Sequence, residues 1–146
     1  YRDQDWEQIA RTMTIERPQD VDDLVLALFR RPPALLKLSR WAFYRTYTSD
    51  AVRSVIASTT ESQAFDDHDL ARIAQPTALI WGEHDGIFSA DAGRAMARAL
   101  PHASFYLLPD CGHVAHWEQA RPTLAALADF RRRHPGPGLD REAPAP

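Results

Sequence analysis

The apolar positions of the chain follow two periods in succession. Up to about Ser62 they recur at helical spacing: Val21, Leu24, Val25, Leu28 and Phe29 stand at i, i+3, i+4, i+7 and i+8, one stripe of an amphipathic helix. Pro32 and Pro33 end that helix, because proline lacks the N–H that a helix interior needs. The stretch from Ala34 to Tyr47 predicts a second helix with a wide apolar and aromatic surface: Leu35, Leu36, Leu38, Trp41, Phe43, Tyr44 and Tyr47. Ser49 is the expected N-cap of a third, with Asp50 in its first turn and Val52, Val55 and Ile56 along it. This first section reads as all helix.

From Asp69 to Arg132 the pattern changes. Thr77-Ala78-Leu79-Ile80-Trp81 is a continuous apolar run between a proline and a glycine, which predicts a parallel strand buried on both faces. A helix is expected next, capped by Ser89, with Asp91 in its first turn, Ala92, Ala95, Met96, Ala99 and Leu100 on one face and Pro101 as its stop. Ser104 to Leu108 predicts a second strand, and the order strand, helix, strand implies a parallel crossover. A last helix runs from Pro122 through Leu124, Leu127 and Phe130. His134 to Pro146 is proline-rich without an apolar period and is expected to be disordered.

Composition narrows the class. A chain of 146 residues, 45% hydrophobic and 25% charged, suits one ordinary globular core and is too apolar for intrinsic disorder. Its longest apolar run, around Leu24 to Phe29, falls far short of the roughly 18 residues of a membrane-spanning helix. The opening at Tyr1 shows neither a charged n-region nor an apolar h-region, and reads as a cut start rather than a signal peptide. A single cysteine, Cys111, excludes an internal disulfide framework and a multi-cysteine zinc module, and fits a reducing compartment such as the cytoplasm. The net charge of −3 argues against bulk nucleic-acid binding, although Arg30, Arg31, Lys37, Arg40, Arg45 and Arg53 face only Asp50 over residues 30–53.

In open parallel sheets, ligands bind outside the carboxyl ends of the strands. Two loops lie there: Trp81-Gly82-Glu83-His84-Asp85-Gly86, and Pro109-Asp110-Cys111-Gly112-His113-Val114-Ala115-His116. On neighbouring strands Asp85 and His113 would emerge side by side. That pairing suits proton transfer, because an imidazole takes a proton from a hydroxyl only in the tautomer that an acceptor on its other nitrogen fixes.

The run from Pro76 to Asp85, the helix after it, then Leu108-Pro-Asp-Cys-Gly-His113 and Glu118, resembles the last two strands of the α/β-hydrolase superfamily. The likeness covers residues 68–133 in unbroken order, and within the superfamily it is most similar to the monoacylglycerol-lipase and esterase branch. It implies an α/β fold with two parallel strands and flanking helices, preceded by a helical cap over residues 1–67, with residues 134–146 as the tail. It also implies that Asp85 is the acid and His113 the general base of a catalytic triad. The implied parent is a serine hydrolase of carboxylic esters with apolar portions, needing no cofactor.

The Gly-x-Ser-x-Gly nucleophile elbow is absent, since none of Ser39, Ser49, Ser54, Ser58, Ser62, Ser89 or Ser104 has glycines at those positions, and a His-Gly oxyanion loop is missing as well. The chain therefore reads as a C-terminal part, inactive alone. Within the same fold, carbon–carbon bond hydrolysis and epoxide opening are the alternative reactions, and a non-catalytic binding protein is the alternative outside enzymes. A zinc site from Cys111, His113, His116 and Glu118 is the rival chemistry, although their spacing fits no standard ligand pattern. The basic aromatic segment reads as a cap helix whose arginines face water, with an interfacial helix against anionic lipid as the second reading. His84, His102 and His116 are expected to be bystanders.

Overall fold

The computed structural model describes residues 5–58 and 65–135; the expected tail beyond Pro135 lies outside the described residues. The chain begins with helix α1 (Trp6–Met13), whose first turn is capped by Asp5 accepting from the Gln8 N–H at 2.8 Å. Helix α2 (Asp20–Leu28) carries the stripe that the spacing predicts, and it ends where Phe29 turns extended, three residues before Pro32. Val21 and Leu24 are buried against Ile15, and Val25, Leu28, Phe43, Tyr44 and Tyr47 pack around them.

The expected single helix over 34–47 is two helices, α3 (Ala34–Leu38) and α4 (Arg40–Tyr47). Ser39 breaks them apart. Its backbone sits at φ −93°, ψ 2°, its N–H bonds one residue short to the Leu36 carbonyl, and its hydroxyl donates to the Leu35 carbonyl. A serine offers the backbone this local alternative to the helical ladder. Phe43, Tyr44 and Tyr47 join the core, while Leu35 and Trp41 stay 69% and 62% exposed, so the wide apolar surface is only partly used. Arg40 grips Asp22 through two hydrogen bonds, of 3.1 and 2.6 Å, and so ties α4 to α2. Helix α5 (Asp50–Ser58) follows, but the Ser49 hydroxyl donates backward to the Thr46 carbonyl at 2.6 Å.

A short helix, α6 (Asp67–Ala71), opens with a reciprocal capping box between Asp66 and Asp69. It leads to strand β1 (Thr77–Gly82), helix α7 (Ala90–Ala99) and strand β2 (Ala103–Leu108). The strands pair in parallel from Thr77 with Ala103 to Gly82 with Leu108. Ser89 caps α7 as expected, accepting from the Ala92 N–H. Helices α8 (Ala115–Glu118) and α9 (Ala120–Arg133) complete the described chain.

Alternation along the strands decides where the helices lie. Gly93 of α7 abuts the Trp81 and Phe105 rings, whereas Asp129 of α9 accepts from the Tyr106 hydroxyl at 2.8 Å, so the two helices cover opposite faces. β1 is only half-buried over Thr77–Trp81, against the expectation of burial on both faces. The reason is width: among the described residues the sheet has two strands, and helices spanning two strands leave the margins of each face open.

Candidate active site

Both loops predicted to carry chemistry leave the carboxyl ends of adjacent parallel strands, and the structure brings their named residues together. His113 Nδ1 lies 2.9 Å from Asp85 Oδ2. The Asp85 side chain is 5% exposed and that of His113 is 34% exposed, an arrangement of a sheltered acid behind an accessible imidazole.

Asp85 is aimed by its own loop. Its Oδ1 accepts from the Ile87 N–H at 2.8 Å and the Phe88 N–H at 3.0 Å, which leaves Oδ2 for the histidine. Gly86 next to it donates to the Ala27 carbonyl at the end of α2, and a Cβ there would stand 2.7 Å from Ala27 Cα. Only glycine allows that approach. Behind the pair, the Trp81 indole donates to the Phe88 carbonyl at 3.1 Å and fixes the far side of the same loop.

The histidine loop is held from several directions. The His84 N–H donates to the Cys111 carbonyl at 2.8 Å and the Val114 N–H to the Leu28 carbonyl at 3.2 Å. Asp110 adopts φ 54°, the left-handed region that aspartate tolerates better than most residues, and its carboxylate pairs with Arg30 and Arg31. Glu118 accepts from the backbone N–H groups of Gly112, Arg30 and Arg31. The sequence places Asp110 in the loop, Arg30 and Arg31 in the basic segment and Glu118 in the motif and the rival zinc set, but gives none of them a part in holding the histidine loop. The Pro109-Asp110 turn was the one local signal, since the partners lie about 80 positions away.

The rival zinc set does not assemble. Among the described residues the one group of three ligand-bearing side chains within reach of a common ion is Asp66, His68 and Asp69, all exposed, whose carboxylates already serve the α6 cap. Cys111 is 0% exposed, and its thiol is pushed up to about 11, first by burial and then by the Glu118, Asp85 and Asp110 carboxylates. His84 lies 3.8 Å from Glu83 with its side chain half-exposed, and His102 and His116 are exposed. In the basic segment, Arg30 and Arg31 are spent on Asp110 and Arg40 on Asp22, which shrinks the cationic face available to a lipid surface. Among the described residues no helix is long and apolar enough to cross a membrane.

A cavity of about 870 Å³ lies over α1 and α2 beside Gly86, and neither Asp85 nor His113 lines it. With the carboxylate ionised, Nδ1 carries the proton and donates it to Oδ2, and Nε2 is left as a basic lone pair toward the exposed side of the ring.

Residues 8–120 match the model of the alpha/beta hydrolase fold family, and the chain belongs to that family. It is 30% identical over 111 residues to 2-hydroxy-6-oxononadienedioate/2-hydroxy-6-oxononatrienedioate hydrolase 2 of Pseudomonas putida, a match that covers 76% of this chain and 37% of that protein. Among solved structures it is similar to a bacterial membrane phospholipase A, with TM-score 0.69 and 25% identity over 86% of this chain and 43% of the other. It shares its fold with the 2-hydroxy-6-oxo-6-phenylhexa-2,4-dienoate hydrolase of Rhodococcus sp. strain RHA1, with TM-score 0.67 and 19% identity over 80% of this chain and 44% of that one. The chain spans less than half the length of these relatives.

Proposed function

We propose that Asp85 and His113 are the acid and base of a hydrolytic triad that cleaves a carbon–carbon bond beside a ketone in a 2-hydroxy-6-oxo-dienoate. What supports the chemistry is the 2.9 Å contact between a sheltered carboxylate and an accessible imidazole at the ends of two parallel strands. What supports the substrate class is the likeness to the Pseudomonas putida hydrolase.

In this reading the nucleophile lies outside these 146 residues, because no serine here sits in a Gly-x-Ser-x-Gly turn. His113 takes the nucleophile's proton as it attacks the ketone carbon, then returns a proton to the departing carbon when the bond breaks. It next takes a proton from the water that releases the acyl group, and Asp85 holds the imidazole tautomer throughout. Residues 1–67 serve as a cap over the substrate and residues 68–133 as the part of the core that carries acid and base.

The likeness to the phospholipase favours a second reading, hydrolysis of a carboxylic ester with an apolar portion, in which the proton from His113 goes to the leaving oxygen. Both readings meet one test. The full-length protein that carries this chain is assayed against a 2-hydroxy-6-oxo-dienoate and against a nitrophenyl ester, with His113→Ala alongside. Turnover of the first substrate, lowered roughly a million-fold in the variant, supports the main reading. Turnover of the ester alone moves the assignment to the second, and activity that survives His113→Ala removes both.

A further inference from the structure

We propose that Glu118 is a positioning residue for His113, fastening the histidine loop and the chain after α2 to a single carboxylate. This rests on the reading of His113 as the base. Glu118 Oε2 accepts from the buried Gly112 N–H at 2.7 Å and from the Arg30 N–H at 3.2 Å, while Oε1 accepts from the Arg31 N–H. Bonds from backbone donors to an ionised acceptor are about twice as strong as neutral ones.

The arrangement leaves His113 little freedom of backbone. On one side of it, Gly112 is tied to Glu118 and pressed so close to the chain after α2 that an added Cβ would stand 2.6 Å from the Arg30 nitrogen. On its other side, the Val114 N–H donates to the Leu28 carbonyl. Gln119, next to Glu118, donates to the carbonyls of Pro109 at 2.7 Å and Asp110 at 3.1 Å, so residues 118 and 119 hold the start and the end of the loop before the histidine. Glu118 thus acts through the backbone: it sets where the ring starts, and Asp85 sets how it turns.

Charge and reach make different predictions. Glutamine keeps the length but offers one acceptor oxygen and turns an NH2 group toward a backbone N–H; aspartate keeps the charge but is one methylene short of spanning both segments. In the full-length protein, Glu118→Gln and Glu118→Asp are each expected to lower kcat on the order of a hundredfold with little change in KM, the penalty of a base misplaced by about 1 Å. The low-field proton resonance of the His113 ring Nδ1–H is expected to broaden or vanish in both. The Trp81 indole N–H resonance, which reports the bond to the Phe88 carbonyl, should persist.

A sharp His113 resonance with unaltered kcat in Glu118→Gln would overturn the proposal, as would full activity in Glu118→Asp. Loss of the Trp81 resonance in both variants also refutes it, because Glu118 then supports the fold rather than aims the imidazole. The spectra need no substrate. A protein that hydrolyses neither substrate class would therefore sink the hydrolase reading and still leave the positioning role to be decided by the His113 resonance.

Discussion

Replacing Asp85 by asparagine changes almost no volume and reverses one hydrogen bond. Oδ1 of Asp85 accepts from two backbone N–H groups, of Ile87 and Phe88. Only the amide oxygen of an asparagine can do that, so Asn at this position is forced to turn its NH2 toward His113 Nδ1, 2.9 Å from the present Oδ2. The histidine must then present a lone pair at Nδ1 and carry its proton on Nε2, where the base is needed. The expected loss in kcat is about 10,000-fold, equivalent to roughly 5.5 kcal/mol of transition-state stabilisation, with KM nearly unchanged. Stability should fall by only about 1 kcal/mol, because all three contacts keep a donor and an acceptor. Steady-state kinetics of the full-length variant measure the first effect and urea denaturation the second. A kcat within about tenfold of the parent would mean that Asp85 does not set the tautomer, and the assignment of the acid would fall.

Two further substitutions probe the packing behind the pair. A Cβ at Gly82 would stand 2.5 Å from the Cys111 carbonyl oxygen and closer still to that of Gly112. Both are backbone atoms of the histidine loop, so Gly82→Ala should cost about 3 kcal/mol by urea denaturation, and a loss below about 0.5 kcal/mol would show that the loop yields. Cys111, fully buried with its thiol pushed from 9.0 up to about 11, should resist a thiol reagent in the native state and react on unfolding. Because the folded chain keeps this proton longer than the unfolded one, the associated stability is fully present below pH 9 and lost as pH rises through about 11. Cys111→Ala should flatten that part of the urea midpoint profile, and an unaltered slope would count against it.

What the sequence made legible was what local chemistry decides. Ser89 and Pro101 bracket α7 because a cap and a missing N–H act within a few residues, and the largely apolar run at 77–81, bounded by Pro76 and Gly82, became β1. That Asp85 and His113 would meet was legible because the carboxyl ends of neighbouring parallel strands lie side by side whatever the intervening helix does. The break at Ser39 was not, since helical apolar spacing continues through it and the deciding bonds are made by one hydroxyl and one N–H. Nor was the role of Glu118: two of its three donors lie 87 and 88 positions away, and no pattern confined to one segment encodes a contact of that range. The short helices α6 and α8 span five and four residues, too few for a period to declare itself.

The end of α2 meets both site loops. A helix leaves its last carbonyls without intrahelical partners. Here the Ala27 carbonyl accepts from Gly86, beside the acid, and the Leu28 carbonyl accepts from Val114, beside the histidine. The site loops therefore act as the C-terminal cap of α2, and α2 acts as their ruler. A shift of α2 relative to the sheet would break both bonds and displace Asp85 and His113 together, while α3 and α4, joined to it through the extended chain after Leu28 and the Arg40 grip on Asp22, carry no such bond to either loop among the described contacts.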